Sequence, residues 1–155
     1  MTEETDNLNE QLDDYKSNLA DDMKLTVEMD KDLIFVGRTN RGYEIDFDAK
    51  VEWGCMPTES LLASAAGCMA IDVVSFLRKM RCEIKTFKIE TTGHRNPTPP
   101  QYFTGMDLHI IISGSGITEK KMKRVVDLSK DKYCSVYHSL RPDMEHKVSW
   151  EITEA

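Results

Sequence analysis

From Met23 onward, apolar and polar residues alternate with a period of two. Lys24–Glu28, Leu33–Gly37 and Tyr43–Phe47 read as three strands, with Asp30-Lys31-Asp32 and Asn40-Arg41-Gly42 at the turns between them. Side chains of a strand point alternately to its two faces, so this spacing predicts a half-buried antiparallel meander. The period then changes. Pro57-Thr58-Glu59 opens a segment that runs to about Met80, where proline suits a first helical turn and glutamate favours the positive end of the helix dipole. Its LLASAAGCMAIDVVSFL stretch is apolar almost all round, which predicts a central, largely buried helix. Ala63, Ala65, Ala66, Gly67 and Ala70 keep that rod thin. A glycine costs about 1 kcal/mol in a helix interior, so close approach of another element is the expected reason for Gly67. Two strand-like stretches follow, Cys82–His94 and Tyr102–Ser113, hinged at Asn96-Pro97-Thr98-Pro99-Pro100. Thr118, a good N-cap, starts a second helix reaching about Lys132. Cys134 begins a short turn or helix, and Lys147–Thr153 closes the chain as a strand. The order of elements is that of an α+β domain with no internal repeat.

Upstream of the meander the pattern is helical again. Leu8, Leu12, Tyr15 and Leu19 line one face of a helix over an acidic segment. Residues 1–22 are therefore expected to form an acidic extension, an amphipathic helix or a disordered tail, and residues 23–155 the domain proper.

Charge sharpens this division. Residues 1–22 carry eight acidic side chains against Lys16, which accounts for the whole formal charge of −7 and leaves the rest of the chain neutral. A neutral body with an acidic extension does not suit nucleic acid, because phosphate binding needs a basic face. No membrane partner is expected, since no run approaches the roughly 18 apolar residues of a span, and no apolar signal core precedes the domain. The expected location is the cytoplasm. Cys55, Cys68, Cys82 and Cys134 form no CxxC pair, which in that compartment points to free or reactive thiols.

The long helix carries one polar stripe. At 100° per residue, Ser64, Cys68, Asp72, Ser75 and Lys79 share a side. Either this stripe faces solvent with Cys68 as a small filler, or it is a narrow polar seam carrying a thiol. Cys134 is equally open. It stands where a helix N-terminus could stabilise a thiolate through free N–H groups, and it could also be a buried structural cysteine. Cys134 and His138 are four apart, but no second Cys/His pair stands at ligand spacing, so no metal site is expected. His94, His109 and His146 are scattered; Cys82 reads as packing, Cys55 as an exposed bystander. The sequence contains no Walker loop, GxGxxG or GxSxG.

Two segments resemble a known family. MPTESLLASAAGCMAIDVVSFLRKMR, residues 56–81, resembles the long helix of OsmC/Ohr proteins, in its proline and glutamate at the start and its G-C-x-A-x-D-V core. LSKDKYCSVYHSL, residues 128–140, resembles their second cysteine segment. The resemblance covers about residues 23–153. It implies antiparallel sheets around a long central helix and an intertwined homodimer with active sites at the subunit interface. It also implies a thiol peroxidase for organic hydroperoxides: Cys68 attacks the peroxide and becomes a sulfenic acid, Cys134 resolves it to a disulfide, and an external dithiol restores both. No cofactor is implied. Glu59 matches the family's carboxylate at the helix start, and Arg38, with Arg41 as alternative, is the candidate for the arginine that polarises the thiolate. Nine residues separate Glu59 from Cys68, half a turn out of phase, so Glu59 reaches the thiol only from a partner subunit or through a bend. Asp72, four residues after Cys68, raises thiol pKa values unless a cation lies between them. Two rival readings stand beside the enzyme. One is a non-enzymatic relative that binds a small ligand or senses oxidants; the other is a structural dimer with packing cysteines.

Overall fold

The computed structural model describes residues 20–154, which fall into two compact units, 20–61 and 62–154. The amphipathic pattern of Leu8, Leu12, Tyr15 and Leu19 lies outside the described residues.

The first unit holds an antiparallel meander of β1 (Leu25–Lys31), β2 (Ile34–Thr39) and β3 (Glu44–Asp48). Both turns fall close to the places expected; the second uses Gly42 at φ 84°, a backbone state that favours glycine. Register explains how the sheet sorts its side chains. Val27 pairs with Gly37 and Gly37 with Ile45, while Met29 pairs with Phe35 and Phe35 with Phe47. These residues and Leu25 therefore share one face, and Thr26, Glu28, Val36, Arg38, Glu44 and Asp46 share the other. After β3 the Asp48 carboxylate accepts from the N–H groups of Lys50, Glu52 and Trp53. Those backbone donors, Lys50 first, hold its pKa below the ordinary carboxylate value.

Helix α1 (Pro57–Lys79) begins in the first unit and runs on into the second. Its start is capped from within, because the Glu59 carboxylate accepts the N–H of Met56 at 2.8 Å. Contrary to the composition-based expectation, α1 does contain a window long and apolar enough to cross a membrane. That apolarity has a local use: Ala65, Met69, Val73 and Leu77 belong to the hydrophobic core of the second unit. The helix is not largely buried in the single chain, however. Leu61, Ala63, Ser64, Gly67 and Ile71 are exposed, and a Cβ at Gly67 would meet nothing within 4 Å. Among the described residues, the close approach expected at Gly67 is therefore not made.

The second unit is built on β4 (Glu83–Arg95), β5 (Phe103–Ser115) and β6 (Glu145–Thr153), with β5 in the middle. The β4–β5 pair is antiparallel but β5–β6 is parallel, so this sheet is mixed rather than wholly antiparallel. The reason is the long connection through α2 (Glu119–Leu128), which returns the chain to the end where β5 began. Met106, Leu108, Ile110 and Ile112 of β5 point to one face and are essentially buried, together with Met122, Val125 and Val126 of α2. Thr118 caps α2 as expected, its side chain accepting from the N–H of Lys121. The α-helix ends at Leu128, earlier than the pattern suggests, and continues as one wide π-type turn, Ser129–Tyr133. A second short helix, α3 (Ser135–Ser139), follows directly from Cys134.

Candidate functional site

The π-type turn decides where the second cysteine goes. Cys134 N–H donates to Ser129 O at 2.9 Å across it, and Tyr133 packs its ring against Phe76 of α1. Such turns shift the helical phase, and they recur at functional sites. Here the shift leaves Cys134 in an extended conformation as the N-cap of α3. Ser129, fully buried, is left facing α1, where its hydroxyl donates to Asp72 Oδ2 at 2.7 Å.

On α1 the stripe of Ser64, Cys68, Asp72, Ser75 and Lys79 proves to be a seam in its middle and surface at its ends. Asp72 and Ser75 are buried and Cys68 partly so, while Ser64 and Lys79 are exposed. Cys68 Sγ, Cys134 Sγ and one Asp72 carboxylate oxygen all lie within 4.8 Å of one another. Cys134 and Asp72 are each 1% exposed, which leaves Cys68 as the thiol open to an incoming molecule. All four cysteines are free thiols.

Of the two roles open for Cys134, the structure supplies part of each. Its sulfur does accept an N–H of α3, that of Tyr137 at 3.4 Å, which favours a thiolate. Burial outweighs that donor. It pushes the Cys134 thiol up to about 12, helped by the hydrogen bond with Cys68 and by negative charge on Cys68 and Asp72. The lowered pKa anticipated from the helix start is therefore not realised, and Cys134 is a protonated thiol near neutrality.

Two candidates sit in the first unit. Arg38 lies on the polar face of the meander, directly across from Glu44 and diagonal to Glu28. Its Nε donates to Glu44 at 2.6 Å and a terminal nitrogen to Glu28 at 2.8 Å. Arg41, the alternative, is in the β2–β3 turn. Glu59 spends one carboxylate oxygen on the helix cap. Cys82 is buried, with Gly116 O at 3.2 Å and Lys121 Nζ at 3.3 Å, in keeping with a packing role. Cys55 is partly buried, its sulfur 3.5 Å from Asp46 O. The third group gathered with the two thiols is Asp72.

Sequence reasoning missed three residues around Cys134. Ser129 and Tyr137 contact the site, and His146 stacks on Tyr137 with ring centres 4.2 Å apart. Tyr137, His138, Arg141, Met144 and His146 line a cavity of about 220 Å³ beside it. Burial, then the charge of Lys130, lowers the His146 pKa from the ordinary 6.5. No spacing rule could have found Ser129, because only the π-type turn brings it to Asp72.

Comparison with known proteins gives a consistent picture. A family model described as OsmC-like protein matches residues 47–149. Protein YhfA of Escherichia coli K12 is 34% identical over 134 residues, covering 86% of this chain and all of YhfA. The crystal structure of a hypothetical protein from Aquifex aeolicus is similar, with TM-score 0.79 and 30% identity over 88% of this chain and 99% of that one. An organic hydroperoxide resistance protein OsmC from Legionella pneumophila shares the fold at TM-score 0.64 and 14% identity, covering 86% and 99% of the two chains.

Proposed function

The chain belongs to the OsmC-like protein family, and from that premise we propose that it is a thiol-dependent peroxidase that reduces organic hydroperoxides. The supporting observation is the pairing of one partly exposed thiol, Cys68, with one buried thiol, Cys134, inside a gap of at most 4.8 Å. Cys68, as thiolate, attacks the peroxide oxygen distal to the organic group. The O–O bond breaks, the alcohol leaves with a proton, and Cys68 becomes a sulfenic acid. Cys134 then attacks that sulfur, a disulfide forms and water leaves, and an external dithiol reduces the disulfide by exchange. Burial of Cys134 keeps it from competing for the peroxide, and its proton leaves with the sulfenic hydroxyl as water when the disulfide forms. A disulfide needs the sulfurs at about 2.05 Å, so closure takes a small movement of α3 or a rotamer change. The Legionella protein of the same fold is named for organic hydroperoxide resistance, which agrees with this chemistry.

The same reading includes a homodimer. The apolar face of the meander, with Leu25, Val27, Met29 and Ile45 all 44% exposed or more, and the bare side of α1 around Gly67 suit a second copy. In that assembly Glu59 and Arg38 would act at a thiol of the partner. One observation favours the rival, an oxidant sensor or ligand binder: Arg38 is already engaged by Glu28 and Glu44.

The test is consumption of cumene hydroperoxide in the presence of dithiothreitol. The wild type is expected to consume it well above the rate of free dithiothreitol, and Cys68→Ser to abolish that excess. Stoichiometric oxidant should remove two hydrogens from the intact mass of the wild type and not of Cys134→Ser. A wild type no faster than dithiothreitol alone sinks the enzymatic reading.

A further inference from the structure

Asp72 is hard to explain by peroxide chemistry alone. A buried carboxylate stands within 4.8 Å of both sulfurs, and no step of the proposed peroxide reduction uses it. Were both thiols to ionise, three negative charges would share one small enclosure, and like charges at such range disfavour one another strongly. Arrangements of this kind are stable with a cation between them.

We propose that the reduced Cys68–Cys134 pair, together with Asp72, is a binding site for one divalent cation of the zinc type. Three donors converge from two segments distant in sequence, two of them sulfur and one oxygen. Two thiolates select a borderline or soft metal over magnesium or calcium, which prefer oxygen alone. Tetrahedral zinc with Zn–S bonds near 2.3 Å sets its sulfurs about 3.8 Å apart. The observed limit of 4.8 Å asks for a contraction of no more than about 1 Å. Ser129 already supplies the outer support that such sites use, because its hydroxyl holds Asp72 Oδ2 at 2.7 Å and fixes the carboxylate's direction. Two of the donors are 1% exposed and the third, Cys68, is partly open, so a fourth position would be reached from the Cys68 side. Binding releases the two thiol protons to solvent. A disulfide removes both donors at once, so metal and disulfide exclude each other. The cation then holds the dithiol reduced and unavailable to peroxide until it is released. Metal binding itself rests only on the geometry of the three donors; its loss on oxidation rests on the proposed disulfide chemistry.

The experiment is a titration of the reduced full chain with cobalt(II) alone, after a thiol count has confirmed four free cysteines. One equivalent is expected to produce a near-ultraviolet sulfur-to-cobalt charge-transfer band, and zinc to erase it. The band should vanish in Cys68→Ser and in Cys134→Ser. Ser129→Ala should weaken affinity by about tenfold or more while circular dichroism stays unchanged. Absence of the band in reduced wild type overturns the site. So does a band that survives both serine variants, which would place the metal at Cys55 or Cys82, and so does a Ser129→Ala chain with undiminished affinity. Cobalt binding without peroxide consumption would leave the metal site standing and remove the peroxidase reading. Peroxide consumption without cobalt binding would do the reverse.

Discussion

The two three-stranded sheets of this protein are covered in different ways. The β4–β5–β6 sheet buries the inward row of β5 beneath α1 and α2, with Met106, Ile110 and Ile112 at 0% exposure. Every residue of β1 in the other sheet is exposed, including Leu25 at 62% and Met29 at 66%. Both sheets obey the same alternation of apolar and polar positions. The contrast shows that alternation determines which face should be covered, not which chain covers it. The closed region also carries the thiol pair and its carboxylate, all from one chain. The open region carries Arg38, bonded to Glu28 and Glu44, and Glu59, which caps the start of α1.

The sharpest probe of the contrast is truncation in the closed sheet. Ile110→Ala should cost about 2–5 kcal/mol, because it leaves a cavity where neighbours cannot fully relax. Denaturant unfolding measures this, and a loss below about 1 kcal/mol would mean that the core is not closed as described. Val27→Asp addresses the open sheet. In a monomer it should change stability little, since Val27 is 52% exposed. In the proposed dimer it should split the assembly, and sedimentation at several concentrations distinguishes the two.

Next in size is a pH effect confined to the closed region. The Cys134 thiol, raised from 9.0 to about 12, holds a proton in the folded chain that the unfolded chain releases. Stability from this group is complete below pH 9 and is lost as pH rises toward 12. Thermal melts of Cys134→Ala against wild type should therefore converge through that window; parallel curves would refute the burial of this thiol. The smallest effect expected is that of Arg38→Ala. Its two ion pairs lie at half-exposed groups, so the denaturant midpoint should barely move. Its peroxidase rate, by contrast, should fall if Arg38 serves the thiolate of a partner.

Much of this was legible in the chain. Strand periodicity placed β1, β2 and β3 to within a few residues, and Pro57 and Thr118 marked the starts of both main helices, because these signals are local. The stripe on α1 singled out Cys68 and Asp72, and the turn before Ser135 singled out Cys134. The parallel β5–β6 pairing was not legible, since it depends on where a long connection delivers the chain. Neither was the bare flank of α1, because an apolar sequence does not say whether its cover comes from the same chain.

Taken alone, the sequence determined the periods, the caps and the two cysteine segments, all of which are written in neighbouring residues. Only the tertiary structure decided that Cys68, Asp72 and Cys134 share one enclosure with Ser129 behind them. That meeting spans more than sixty positions and turns on a single wide turn after α2. The same burial that brings Cys134 there also reverses the pKa shift its local position would suggest. Desolvation is a property of the packed fold and leaves no mark in a local pattern.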